Sequence, residues 1–349
     1  MGLREYIIRR LILLIPVALG VIVLIFALLQ VVPPTRRVFV FLSGNPRELN
    51  PEVLKSYIHM YGLDQPVWVQ FAVWLNQLLH GNLGFSEITG PVLDNLLRRA
   101  PATIEIVIYS APLIILIGIW AGVNAAVKRD KPFDHVSRVL SVLGTSMPSF
   151  FFGIALSAIF IATLKWTGTG RLSPNLDSHL TTLRGLGQWH DYTNMVTIDA
   201  LLNGRLDYFI DGLKHLVLPV TVLVFINTAT LVRVARSSML EALSKTYIIA
   251  ARAKGLSQKE VVYKHARRNA LIPVVTLAGL IVGGMMTGLV ITETVFQFPG
   301  LGNWAAYAAQ RFDVPVVAAY ALFSAIVFVL ANLIVDILYA YIDPRIRLG

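Results

Sequence analysis

Six stretches of this chain contain no Asp, Glu, Lys or Arg: Leu11–Val32, Ile106–Val127, Val139–Leu164, Leu216–Val232, Asn269–Thr292 and Val314–Val335. An α-helix needs about 20 mostly apolar residues to cross a hydrocarbon core roughly 30 Å thick. Five of the runs meet that length; Leu216–Val232 falls short and carries Pro219. Any one run alone reads as a soluble core helix. Six together predict an all-α membrane protein with six transmembrane helices. A barrel strand would alternate polar and apolar residues over about ten positions, which these runs do not. Composition agrees: 14% of residues are charged and the mean hydropathy is +0.66. A soluble protein carries roughly 25% charged residues, so a typical soluble enzyme and a disordered chain are both excluded. There is no cysteine, which removes disulfides, thiolate metal sites and cysteine nucleophiles.

Residues 1–10 followed by Leu11–Val32 have the order of a signal peptide. The apolar run is too long for one, and Pro33-Pro34-Thr35-Arg36 lacks the small-residue cleavage pattern. A retained first helix is expected.

The net charge of +10 fits either a nucleic-acid binder or a membrane-orientation signal, and its distribution decides. With the N-terminus in the cytoplasm, residues 1–10, 128–138, 233–268 and 336–349 lie inside. Leaving out Asp336 at a helix boundary, these segments sum to +12, and the outside segments, although longer, to −1. That is the positive-inside pattern; it places both termini in the cytoplasm and the chain in the cell membrane as a multi-pass protein. The cations flank spans instead of forming a basic domain, so nucleic acid is not expected.

Three units follow: residues 1–32 as tail and first helix, 33–105 as an outer segment with short helices, and 106–349 as a five-helix core. The core includes an outer loop at 165–215 and a cytoplasmic loop at 233–268. In the outer segment, Asn50-Pro51-Glu52 reads as a helix start. Val67–Leu79 presents Trp68, Phe71, Trp74, Leu75 and Leu78 at helical spacing; it either lies on the outer leaflet or packs on the protein. In the outer loop, Arg171, Trp189, His190, Asp191 and Tyr192 either line an entrance or are solvated, and His190 has no partner at metal-ligand spacing.

The loop 233–268 is long for a membrane turn. Met239–Lys254 favours helix, Gly255 supplies a stop, and Ser257-Gln258-Lys259-Glu260 matches a capping box that starts a second short helix. Ala250, Ala251 and Ala253 put small side chains beside the turn, within a rim of Arg252, Lys254, Lys264, Arg267 and Arg268. Such a knob suits insertion into a partner's groove; the cations alone suit anionic lipid equally well.

No G-x-x-x-x-G-K-[ST], HExxH or GxSxG occurs, and no span holds a pair of carboxylates. No catalytic residue, metal site or resident cofactor is therefore expected. Asn332 and Asp336 share a helix face near a span end, where a structural interhelical hydrogen bond is the preferred reading over ion coupling. Glu293 closes the fifth span just before Phe298-Pro299-Gly300-Leu301-Gly302, a turn placed at the outer mouth as a re-entrant loop, gate or docking point.

Ala250-Ala251-Arg252-Ala253-Lys254-Gly255-Leu256-Ser257, then His265-Ala266-Arg267-Arg268-Asn269-Ala270-Leu271-Ile272-Pro273, resembles the "EAA" loop of ABC importer permeases. Five further pieces resemble the dipeptide/oligopeptide/nickel family of these permeases. They are Tyr61–Pro66, Gly81–Ser86, Pro101-Ala102-Thr103, Ser146–Phe150 and Glu293–Gly302; Asp343-Pro344-Arg345 closes the series. All run in the family's order. The glutamate position of the loop is Ile249 here, while the alanine and glycine positions, Ala251 and Gly255, are kept. The long outer loop, with Asp199-Ala200-Leu201-Leu202, resembles the B-type member of the permease pair.

The resemblance implies a type I importer permease that passes peptides or related solutes inward by alternating access. It implies a heterodimer with a second permease, two cytoplasmic ATPase subunits that bind ATP and Mg, and an extracytoplasmic binding protein. It also implies that residues 250–257 couple to an ATPase, with His265, Arg267, Arg268, Asn269 and Pro273 in support. Oligosaccharides or nickel chelates are the alternative cargo, and an ion-coupled secondary carrier is the alternative machine.

Overall fold

A computed structural model describes residues 3–44 and 50–342. In chain order, α1 (Leu3–Leu29) is followed by α2 (Pro34–Arg37), α3 (Pro51–Met60) and α4 (Val67–Leu79). The strands β1 (Phe85–Ser86) and β2 (Gly90–Pro91) then pair antiparallel, Phe85 opposite Pro91. Next come α5 (Val92–Val127), α6 (Pro132–Ser146), α7 (Ser149–Leu156), α8 (Pro174–Gly185), α9 (Val196–Leu202), α10 (Leu206–Ser244), α11 (Thr246–Ala253) and α12 (Gln258–Glu260). The chain continues with α13 (Arg267–Met286), α14 (Val290–Val295), α15 (Leu301–Gln310) and α16 (Val314–Ile342). Among the described residues, five helical stretches, α1, α5, α10, α12–α13 and α16, are long and apolar enough to cross a membrane. A further apolar pair, α6 and α7, the latter continued by wider π-type turns to Thr163, meets at an angle of 101° and makes a sixth span if the bent pair crosses as one.

The break has a local cause. Met147 is extended (φ −84°, ψ 123°) because the Pro148 ring disfavours helix in the residue before it. The other spans outrun their charge-free cores. α5 is 36 residues and α10 is 39, so α5 alone is about 54 Å long at 1.5 Å per residue. Pro219 sits inside α10 without ending it. Span five ends at Met286, and Gly288 (φ +125°) separates it from α14.

Between lipid-facing helices, close backbone approach replaces hydrophobic drive. α10 is the axis of the bundle, and small residues bring its neighbours in. A Cβ at Gly118 would lie 2.6 Å from Leu231, one at Gly122 would lie 2.9 Å from the Val232 carbonyl, and one at Gly144 would lie 2.6 Å from Ala229. Ile106, Ile114, Leu223, Leu231 and Val274 fill the core between α5, α10 and α13.

The start of α3 follows the sequence reading: Asn50 Oδ1 accepts from Val53 N at 2.8 Å. α4 buries Trp74 and sets Phe71 and Trp74 against Phe26 of α1, with ring centroids 5.1 and 5.5 Å apart. Its other face leaves Trp68 74% exposed. Helix, glycine turn, helix is also found around Gly255, with two corrections. The first helix is interrupted at Lys245, which is extended (ψ 150°). The second is no separate short helix, because residues 258–286 form one helical rod running on into span five. No glycine or proline lies between Gln258 and Pro273 to stop it.

Candidate functional site: the Gly255 turn and the Glu293 knot

α11 lies across one end of the bundle. Ile248 and Ala251 are buried there against Val123 and Ala126 of α5, Met239 and Ala242 of α10, and Val261, Val262 and Ala266. That contact leaves Ile249, Ala250, Arg252, Ala253, Lys254 and Gly255 facing outward. Gly255 has φ +77°, and nothing lies within 4 Å of the position a Cβ would take. Its glycine is therefore required by conformation, not space. Leu256 N reaches back to the Ala251 carbonyl (3.4 Å) and Gly255 N to that of Arg252 (3.0 Å), closing the end of α11.

Ser257 then caps the next helix. Its hydroxyl accepts from Glu260 N (3.3 Å), while Glu260 Oε2 accepts from Ser257 N (3.1 Å) and Oγ (2.8 Å). The outcome is a ridge of small side chains with exposed Ile249, rimmed by exposed Arg252, Lys254, Lys259, Lys264, Arg267 and Arg268. Leu256 and His265 are half-buried, and Asn269 and Pro273 are exposed on α13. Arg267 stacks over Tyr263 at 5.6 Å.

Behind the ridge, Asp134 at the start of α6 is fully buried and grips Arg236 of α10. Nε donates to Oδ1 at 2.6 Å and Nη2 donates to Oδ2 at 2.8 Å. Arg138 adds a contact at 3.8 Å. Neither Asp134 nor Arg236 stood out in the sequence, because their pairing spans about a hundred residues.

At the opposite end, Glu293 is 0% exposed. Its Oε1 accepts from Thr103 Oγ1 at 2.6 Å and its Oε2 from Asn303 N at 2.8 Å. Thr103 Oγ1 in turn accepts from Leu301 N at 2.9 Å. The carboxylate thus knots α14, α15 and α5 together. Phe298 and Gly300 are buried beside it and only Pro299 is exposed. The glycines have steric reasons: a Cβ at Gly300 would overlap the Glu293 carboxyl, and one at Gly302 would lie 2.7 Å from Val290 Cα. The segment is a tight turn between two short helices, α14 and α15.

A second buried acid, Glu105, accepts from Thr197 N and Oγ1 at 2.7 Å each and from Arg171 Nη2 at 2.7 Å. Of the candidate entrance residues, Trp189 is buried and its Nε1 donates to Asp191, which also pairs with Arg184 at 2.6 Å; His190 and Tyr192 are exposed. Asn332 is half-buried on α16, and the Asp336 side chain and Asp343-Pro344-Arg345 lie outside the described residues. Among the described residues no cluster of three metal-ligating side chains occurs.

Residues 114–348 match the family described as "Binding-protein-dependent transport system inner membrane component". The chain is 39% identical over 344 residues to the dipeptide transport system permease protein DppB of Escherichia coli K12, covering 98% of each. It is 40% identical over 345 residues to the di/tripeptide permease protein DppB of Pseudomonas aeruginosa, again covering 98% of each. To the oligopeptide permease protein AppB of Bacillus subtilis it is 34% identical over 350 residues, covering 98% of this chain and 99% of that one.

Proposed function

Because the chain belongs to the family of binding-protein-dependent transport system inner membrane components, we propose that it is the translocation subunit of an ATP-driven importer for short peptides. It sits in the inner membrane as a multi-pass protein with both termini in the cytoplasm. A second permease completes the pathway. Two cytoplasmic ATPase subunits bind ATP and Mg, and an outer binding protein delivers cargo. The observation that carries the coupling role is the Gly255 ridge, which presents small residues and Ile249 outward from a turn clamped by a capping box.

Residues 250–257 insert into a groove of an ATPase subunit, with His265, Arg267, Arg268, Asn269 and Pro273 setting the rod behind them. Movement of the ridge is delivered directly to span five, since 258–286 is one rod. It also reaches α5 and α10 through Ile248 and Ala251. Packed interfaces of this kind switch between discrete arrangements, so a small push at the ridge reorients the spans.

The native chain has no cysteine, so single-cysteine variants report contacts without background. Ala253→Cys is expected to cross-link to a co-expressed ATPase subunit, and Phe312→Cys, exposed at the other end, is not. Equal cross-linking of both, or none at Ala253→Cys, would contradict the coupling role.

A further inference from the structure

At the end of the bundle away from Gly255, a recess of about 590 Å³ opens between the N-terminal part of α5, α8 and Pro299. That volume is in the range of sites that take small molecules. Six charged side chains line it: Arg98, Arg99, Arg171, Asp177, Arg184 and Asp191. Three of the six are committed elsewhere. Arg184 pairs with Asp191 at 2.6 Å, and Arg171 Nη2 is shared between Glu105 and the Asn194 carbonyl. Among the described residues, Arg98, Arg99 and Asp177 have no ion pair or side-chain hydrogen bond. Arg99 lies over the Trp304 ring at 5.7 Å, a contact that leaves its N–H edges free. Arg171 also keeps a buried Nε donor with no acceptor.

Four arginines and two acids line the recess, so it carries an excess of positive charge, and the adjacent Arg98 and Arg99, which repel each other, suit an anionic group. The free acid on the facing element, Asp177 in the first turn of α8, adds a place for a cation. A ligand carrying one carboxylate and one ammonium a few bonds apart satisfies both walls. An acidic loop of a docking protein would satisfy the arginines while setting a second acid near Asp177.

We propose that this recess is a binding site for a short zwitterionic peptide, with Arg98 and Arg99 taking the terminal carboxylate and Asp177 the terminal ammonium. The proposal rests on the peptide-importer reading and places a cargo site on the permease itself. It makes the permease a second reader of peptide termini.

The test is equilibrium binding of radiolabelled dialanine to the purified full-length chain with whatever subunits accompany it, in the absence of any binding protein. Dialanine is expected to bind saturably, with dialanine amide and N-acetyl-dialanine each about tenfold weaker, the loss of one charge-assisted contact. The double variant Arg98→Gln, Arg99→Gln should lose about tenfold for dialanine and lose the preference over the amide. Arg98→Lys with Arg99→Lys should keep that preference, which separates charge recognition from misfolding. No saturable binding to the native chain, equal binding of dialanine and its amide, or an unaffected glutamine double variant would each overturn the proposal. So would weakened affinity for the binding protein with dialanine binding intact. Uptake by the assembled transporter that ignores ATP, with saturable dialanine binding retained, would instead overturn the importer reading and leave the recess standing.

Discussion

Replacing Arg236 by methionine should cripple the Gly255 end of the bundle through a partner more than a hundred residues away. Asp134 is fully buried, and its two carboxylate oxygens take Arg236 Nε and Nη2 at 2.6 and 2.8 Å. Removing one member of a buried pair costs about 3–5 kcal/mol, since it strands the other charge. Arg138, 3.8 Å away and itself half open to solvent, offsets part of that, so the lower end applies. At about 2.1 cal/mol/K of unfolding entropy per residue, a loss of about 3 kcal/mol in this 349-residue chain lowers the unfolding midpoint by roughly 4 °C. The assay is thermal unfolding of the purified protein in detergent. The cycle is completed by Asp134→Leu with Arg236→Met. With no stranded charge left, it should recover at least half of the loss, as apolar replacements of buried pairs commonly do. An Arg236→Met midpoint within about 1 °C of the native protein would refute the reasoning, because at that scaling the charge is not stranded. So would a double variant no more stable than the single.

The Gly255 turn should respond to conformation before size: Gly255→Asn keeps most uptake, Gly255→Ala costs about 1–2 kcal/mol for a left-handed residue, and Gly255→Pro abolishes coupling. ATP-dependent uptake by the three variants checks that order. Thr103→Val removes a donor to Glu293 and an acceptor for Leu301 N, and should lower stability by about 1–3 kcal/mol per group left unpaired; the same unfolding assay reads it. His59 and Asp64, 2.7 Å apart, shift in opposite directions, His59 up from 6.5 and Asp64 down from 3.8, each mainly through their hydrogen bond. The raised histidine stabilises below 6.5 and loses that as pH rises through its folded value. The lowered aspartate stabilises above 3.8 and loses that as pH falls through its own. The contact is therefore fully formed between those limits, and Asp64→Asn should return the NMR titration midpoint of His59 toward 6.5.

The parts of this fold that were legible in the sequence are those governed by neighbours. The Ser257–Glu260 box, the Asn50 cap and the Gly255 stop each need only three or four residues, and all three are present in the structure. The spans were visible as charge-free runs, but their ends were not. α5 extends upstream of Ile106 through Glu105 and Arg98 because a charge at a helix end can pair or reach water. The bend at Met147–Pro148 was hidden in a run judged by composition alone. The knots were beyond reach altogether. Glu293 was noticed, but its partner Thr103 lies 190 residues away and Asp134 lies 102 residues from Arg236. In one sequence nothing links them. That Glu293 ends a charge-free run is legible in the sequence; that it joins α5, α14 and α15 is not.

The central claim is that this chain moves its cargo on energy delivered by ATPase partners through the Gly255 ridge. Uptake of labelled dialanine should be measured in proteoliposomes holding the assembled transporter, its binding protein and ATP, with proton and sodium gradients collapsed by ionophores. The account predicts that uptake continues undiminished, requires hydrolysable ATP, and falls to background in Gly255→Pro. Uptake that ignores ATP and disappears with the ion gradients would contradict it and identify a secondary carrier.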